Sequence, residues 1–245
     1  MRKSEVFFRI VLALGIINVA PVAAVQADEE EEGPFKIEKC QTISQQGSYK
    51  LVNNLTFTSS SGTCLTITAN FVTIDLAGFT ISKPGFPLPG NSTLAIAAAN
   101  DTTGVTVRNG SISGFGFGVE LEGRGSVVEG VRVGFPCPCE VGIAATGIVR
   151  SNIVDIASAP SGSVGISATG LVSGNYVFMT RSTGMAIGQG STVIGNTVTG
   201  TGPFPAIGLL IACPSNVTNN TAVNNLGQNL VLNGSGCNDT NNVAP

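Results

Sequence analysis

The stretch GVELEGRG, residues 118–125, gathers two carboxylates and a guanidinium into eight positions of a chain that has no histidine. If Val119 and Leu121 point inward from a strand, Glu120 and Glu122 share the outward face, with Arg124 just past them. Carboxylates two residues apart on a strand can reach the separation used for paired acid and base work in glycoside cleavage, with Arg124 as charge stabiliser. Set against this, outward glutamates on a strand are ordinarily solvated surface, made compatible here by Arg124 and by Arg108 or Arg132. A single charged coil without aromatic neighbours is also thin for a sugar site. Asp75, Asp101 and Asp155 read as turn or loop-end hydrogen-bonding groups rather than catalysts.

Six cysteines are the other reactive groups. Cys40 and Cys64 lie 24 residues apart, and so do Cys213 and Cys237. Were the chain coiled with that period, each pair would sit on neighbouring coils, whose backbones stack about 4.8 Å apart, inside the reach of a disulfide. Cys137-Pro138-Cys139 leaves a strained disulfide, two thiols or a metal-binding fragment open. With no histidine and no second cysteine cluster, neither a metal site nor a cofactor is expected.

The element that must carry these groups repeats. VGIAATGIVRSNIVDI (141–156), VGISATGLVSGNYVFM (164–179), GMAIGQGSTVIGNTVTG (184–200) and AIGLLIACPSNVTNNTAV (206–223) share a glycine, an alternating apolar run, a polar break and an asparagine. Apolar alternation in pieces of three to six residues is a strand signal, too short for helices. Fixed-period self-similarity of this length reads as a solenoid. The polar-break column runs Gly78, Gly110, Gly130, Asn152, Asn175, Asn196, Asn220 and Asn242. Gly and Asn tolerate left-handed backbone angles, so the column predicts one tight turn per coil, with stacked amides bonding along the axis.

The fold class expected is all-β, a single-stranded right-handed parallel β-helix of about eight coils, because one coil cannot bury its apolar face without repeating neighbours. In that register Ile143, Ile166, Ile187 and Leu209 stack inward. The outward positions read Ala95 and Ala97, Glu120 and Glu122, Ala144 and Thr146, Ser167 and Thr169, Ala186 and Gly188, then Gly208 and Leu210. Such a flat stripe of small side chains suits a contact surface, self-association included.

GVTVRNGSISGFGFGV (104–119), with the preceding NFVTIDLAGFTI (70–81), resembles the repeats of secreted right-handed parallel β-helix proteins of the pectin-lyase-like group. The likeness runs over roughly residues 48–243 and implies the fold. That group spans lyases, hydrolases, epimerases, phage tailspikes and proteins without known activity. The Asp-Asp, Asn-Thr-Asp, Gly-His-Gly and Arg-Ile-Lys set of its polygalacturonases is absent here, as are the Trp-x-Asp-His signature and aspartate cluster of its pectate lyases. Copper-delivery β-helices lean on His and Met, and the lack of His argues against that branch too.

Compartment follows from the start of the chain. Arg2 and Lys3, an apolar stretch from Ile10 to Val25 and small residues up to Ala27 describe a signal peptide over 1–27. An acidic leader (28–34) and an N-terminal cap (35–50) held by Cys40–Cys64 come next, and the β-helix fills 51–245. Beyond the acidic run Asp28 to Glu32, nine acids face nine Lys and Arg, so the folded body is near neutral and nucleic acid is excluded as a partner. No span of the membrane is expected after signal cleavage. Together these predict a secreted or periplasmic β-helix surface or binding protein without catalysis, its partner a polysaccharide or cell-surface component. The alternative is a polysaccharide lyase or hydrolase acting on an acidic polysaccharide through Glu120 and Glu122.

Overall fold

In the computed structural model the residues described are 33–85, 93–134, 140–156, 162–178, 180–202 and 206–245. The expected signal peptide, nearly all of the leader, and Cys137 and Cys139 lie outside them. All regular structure among the described residues is β-strand, and every pairing between strands is parallel. The chain winds as a parallel β-solenoid of about eight turns.

Each turn lays down up to three short strands, and like strands stack into three faces. The first face carries Gln41–Ile43, Gly62–Ile67, Thr93–Ala98, the start of Phe117–Gly134, Val141–Arg150 and Val164–Ser173, then Thr183–Ile187, Ile207–Ala212 and Gln228–Asn233. The second runs from Phe35–Ile37 and Gly47–Leu51 to Thr192–Ile194, Asn216–Thr218 and Asn238–Thr240. The third runs from Leu55–Thr56 and Thr80–Ser82 through Ile153–Asp155, Tyr176–Phe178 and Thr197–Thr199 to Thr221–Val223. Residues 35–43 thus form strands that pair onto the first turns.

Alternation places one apolar column inside each face. On the second it reads Ile74, Val107, Val128, Val149, Val172, Val193 and Val217. On the first, Leu65, Ile96, Val119, Ile143, Ile166, Met185, Leu209 and Leu230 stack in register. The expected ladder is therefore corrected at one rung: Met185 lies between Ile166 and Leu209, while Ile187 stacks between Ala168 and Ile211. Both are buried, so the inward assignment holds and only the rung differs.

The repeated glycine is buried beside this ladder. A Cβ at Gly165 would lie 2.5 Å from Gly184 O and 2.5 Å from Val177 Cγ1, and one at Gly184 would lie 2.2 Å from Val198 Cγ1. The valines of the third face reach across the coil and fill the space a side chain would need, so glycine here answers a packing demand.

Asparagine has a different task. Asn152, Asn175 and Asn196 are buried, and each donates from Nδ2 to Oδ1 of the asparagine one coil on, at 2.9–3.0 Å. Asn220 continues the chain to Asn242. Every Oδ1 also accepts a main-chain N–H from the coil before, beginning with Val131 N onto Asn152 Oδ1 at 2.9 Å. The left-handed angles belong to the preceding residue: Ser151, Gly174, Gly195, Asn219 and Asn241 have φ between 54° and 64°. This corrects the expected column. Gly130 (φ 61°) is the left-handed residue of its turn, and Val131 holds the place that Asn takes later.

Two disulfides form as expected. Cys40–Cys64 and Cys213–Cys237 have Cα separations of 4.5 and 5.0 Å, close to the stacking distance of neighbouring strands. They tie neighbouring coils at opposite ends of the solenoid, Cys40–Cys64 on the first face and Cys213–Cys237 at the corner between the first and second, and such bonds persist in oxidising surroundings. The last second-face strand, Asn238–Thr240, is polar. Asp239 occupies the inward register opposite Val217 and accepts a hydrogen bond from Asn242 Nδ2, so a carboxylate ends the amide ladder.

Candidate functional site

Glu120 projects from the first face, and its flanking positions on that face are Ala97 before it and Ala144 after it. The column continues through Ser167, Ala186, Leu210 and Val231. A second outward column pairs Thr146 with Thr169 and Ala212 with Asn233. The expected stripe of small side chains is therefore present, with two corrections. Ala95 and Gly208 are buried, because the glycine position of each coil faces the interior.

Two shallow depressions lie on this face. One, of about 330 Å³, is lined by Glu122, Ala144, Thr146, Ser167 and Thr169 among others. The next, of about 280 Å³, takes over at Ser167 and Thr169 and runs past Gly188 to Asn233. Sharing residues, they make one groove along the axis, with Glu122 at one end and an amide at the other. At Gly188 the Thr169 side chain leans over the backbone and fills the space a side chain would need: a Cβ there would lie 2.2 Å from Thr169 Oγ1. Hydroxyls of Thr and Ser are the polar groups that line its middle.

Glu120 is half-buried and Glu122 exposed. Burial, and secondarily the Glu122 charge, raise the Glu120 carboxyl above its usual value of 4.5. Both effects disfavour the ionised form. Arg124 does not relieve them. The strand leaves the first face after Leu121, the register slips between Leu121 and Ser126, and Arg124 stands exposed at the corner, its carbonyl accepting from Gly104 N. Among the described residues it forms no ion pair.

Nor do the other arginines serve these glutamates. Arg132 lies on the third face, beside Ile153. Arg108 lies on the second, its Nε 3.2 Å from Asp75 Oδ2 in a charge contact without hydrogen-bond alignment. Asp75 also accepts Ala77 N at 2.8 Å, the turn role expected of it.

Arg108 belongs to a feature that residue spacing alone hides. Lys50, Asp75, Arg108, Glu129 and Arg150 stand in direct register up the second face, alternating in sign coil by coil. Arg150 Nε donates to Glu129 Oε2 at 2.6 Å. Exposed pairs of this kind contribute about 0–1 kcal/mol each, so the column specifies register more than stability. Only Arg150 precedes a turn asparagine of the amide ladder, Asn152, so the other charges carry no sequence mark that would have aligned them.

No family model matches the chain, and no curated protein or solved structure matches it.

Proposed function

We propose that this chain is an exported β-solenoid of the pectin-lyase-like kind that works as a non-catalytic surface or binding protein, with the groove of the first face as its contact surface. The observation that carries the reading is the composition of that face. Ala144, Ser167, Ala186, Thr146 and Thr169 offer shape and hydroxyls, and the acidic pair Glu120 and Glu122 has no cationic partner among the described residues. Acid–base cleavage of a glycoside needs one carboxyl held neutral while a second stays charged across the scissile bond, with the developing charge met by a fixed group. Here Arg124 points off the face at a corner. An acidic polymer would also meet two uncompensated carboxylates. The disulfide-clamped ends agree with an extracellular or periplasmic home.

One observation favours the second reading, a polysaccharide lyase or hydrolase. Glu120 holds its proton above the usual range, which is how a general acid is prepared. Incubating the purified chain with pectins, alginates and other uronates, and following new reducing ends and 4,5-unsaturated products, separates the two. The binding reading expects no turnover. Turnover that disappears in Glu120→Gln would replace it with the enzymatic one.

A further inference from the structure

The third face carries an exposed aromatic pair. Tyr176 and Phe178 leave the strand on the same side, their ring centroids 5.2 Å apart and their planes tilted by 34°. Tyr176 is 41% exposed, whereas Tyr49, the other tyrosine, is buried with its hydroxyl donating to Gln45 O at 2.9 Å. Tyr176 therefore shows solvent part of its ring and its polar end, the amphipathic surface that suits a tyrosine to a contact site.

The neighbours of Tyr176 in register make the placement specific. Ile153 lies one coil before it, and Arg132 one coil before that. Two stacking steps set Arg132 about 10 Å from Tyr176 along the axis. Arg132 is exposed and forms no ion pair among the described residues, unlike Arg108 and Arg150, which face Asp75 and Glu129. Asp155, the acid nearest in register, stands in the adjacent column beside Phe178 and has an interaction of its own. Around Arg132 the surface is hollowed: Gly110, Ser111, Gly130, Arg132 and Ile153 line a depression of about 270 Å³. Beyond Tyr176 the same column continues with the hydroxyls of Thr197 and Thr221.

We infer that this strip is a binding site for an anionic saccharide chain lying along the solenoid axis, with one ring stacked on Tyr176 and an acidic group held by Arg132 in the depression. The three chemistries the strip offers match that ligand. An exposed aromatic face takes the C–H side of a sugar ring, as in other sites that combine an apolar surface with a few polar groups. A free guanidinium presents a planar fork to a carboxylate or a sulfate. Short hydroxyl side chains meet sugar hydroxyls without blocking the ring. The inference rests on the reading of the chain as a binding protein, but not on its first-face groove.

The chain's lack of tryptophan makes the test direct, because tyrosine emission then reports mainly on Tyr176 and the enclosed Tyr49. Titrating the intact protein with dextran sulfate, alginate and neutral dextran, by emission and by calorimetry, is expected to give saturable binding of a charged polymer. The sulfate and carboxylate arms tell which acidic group is preferred. Tyr176→Ala should weaken binding about tenfold, and Tyr176→Phe should restore affinity while removing the emission change. Arg132→Gln should weaken the charged polymers and leave dextran unaffected, with Lys36→Gln, at the far end of the solenoid, as the charge control. Circular dichroism of each variant establishes that the fold is kept. Binding of none of the three polymers, or binding that resists both Tyr176→Ala and Arg132→Gln, overturns the inference. Binding lost instead in Thr169→Asp would also overturn it, while upholding the first face as the contact surface.

Discussion

Replacing Asn196 by alanine separates the two roles that the polar break of each coil combines. Asn196 Nδ2 donates to Val172 O and to Asn220 Oδ1, both at 2.9 Å, and its Oδ1 accepts Asn175 N and Asn175 Nδ2 at 3.0 Å. Asn175 Nδ2 keeps a second acceptor in Val149 O, and Asn220 Oδ1 keeps a second donor in the main-chain N–H of residue 196. The main-chain N–H of Asn175 is left buried without its acceptor, a cost of about 1–3 kcal/mol. The two lost donations add about 1 kcal/mol each. Asn196→Ala should therefore cost about 3–5 kcal/mol. Asn219→Ala changes a residue that is exposed and left-handed (φ 56°); both residues carry a Cβ, so only asparagine's better local tolerance of that conformation is lost, and the cost should stay below about 1 kcal/mol. Urea unfolding followed by circular dichroism measures both. Equal losses, or a loss below about 1 kcal/mol for Asn196→Ala, would refute the division between amide ladder and left-handed turn.

Gly165→Ala should cost more than about 3 kcal/mol, because its Cβ would meet a carbonyl and a valine methyl at 2.5 Å. Thermal unfolding of that variant beside Gly33→Ala, where the Cβ meets nothing within 4 Å, checks it. For Glu120, whose carboxyl is raised above 4.5, stability is fully present below that pH and is lost as pH climbs through the folded-state value. Glu120→Gln should accordingly flatten the decline above pH 4.5, as seen in urea midpoints across pH 4–7. Reducing Cys213–Cys237 should lower stability by about 2–4 kcal/mol, and amide exchange should accelerate in residues 206–240 well before it does near Ile143.

How much of this is legible in the sequence differs residue by residue. Asn152, Asn175, Asn196 and Asn220 announce the turn because an amide ladder works only if the same side chain recurs once per coil. The disulfides are legible for the same reason, a separation of 24 residues being one coil at each end. The rung at Met185 is not, because the coil between Ile166 and Met185 is 19 residues long where its neighbours run to 23 and 24, and a β-branched residue two positions on competes for the place. The glycine column looks like a turn signal in sequence. Only the third-face valines, which approach from the opposite side of the coil, show that it is a packing requirement. Glu120 and Glu122 are where expected, but the corner that carries Arg124 away arises from a register slip that no periodicity reveals. Arg132 and Tyr176 lie 44 positions apart in sequence and become neighbours in one column only when coils are stacked.

The claim on which the rest depends is that Ile166 faces the core while Thr169, three residues on, faces open surface in the groove. The measurement is a pair of carboxylates placed at those two positions. Ile166 is fully buried between Ile143 and Met185, so Ile166→Asp puts a charge where no partner can reach it and should unfold the coils on both sides. Thr169 is exposed, and Thr169→Asp should change the urea midpoint by an amount equivalent to less than about 0.5 kcal/mol. A large loss for Ile166→Asp beside a near-silent Thr169→Asp is the expected result. Equal losses would move every outward residue of the first face into the core and remove the contact surface with it.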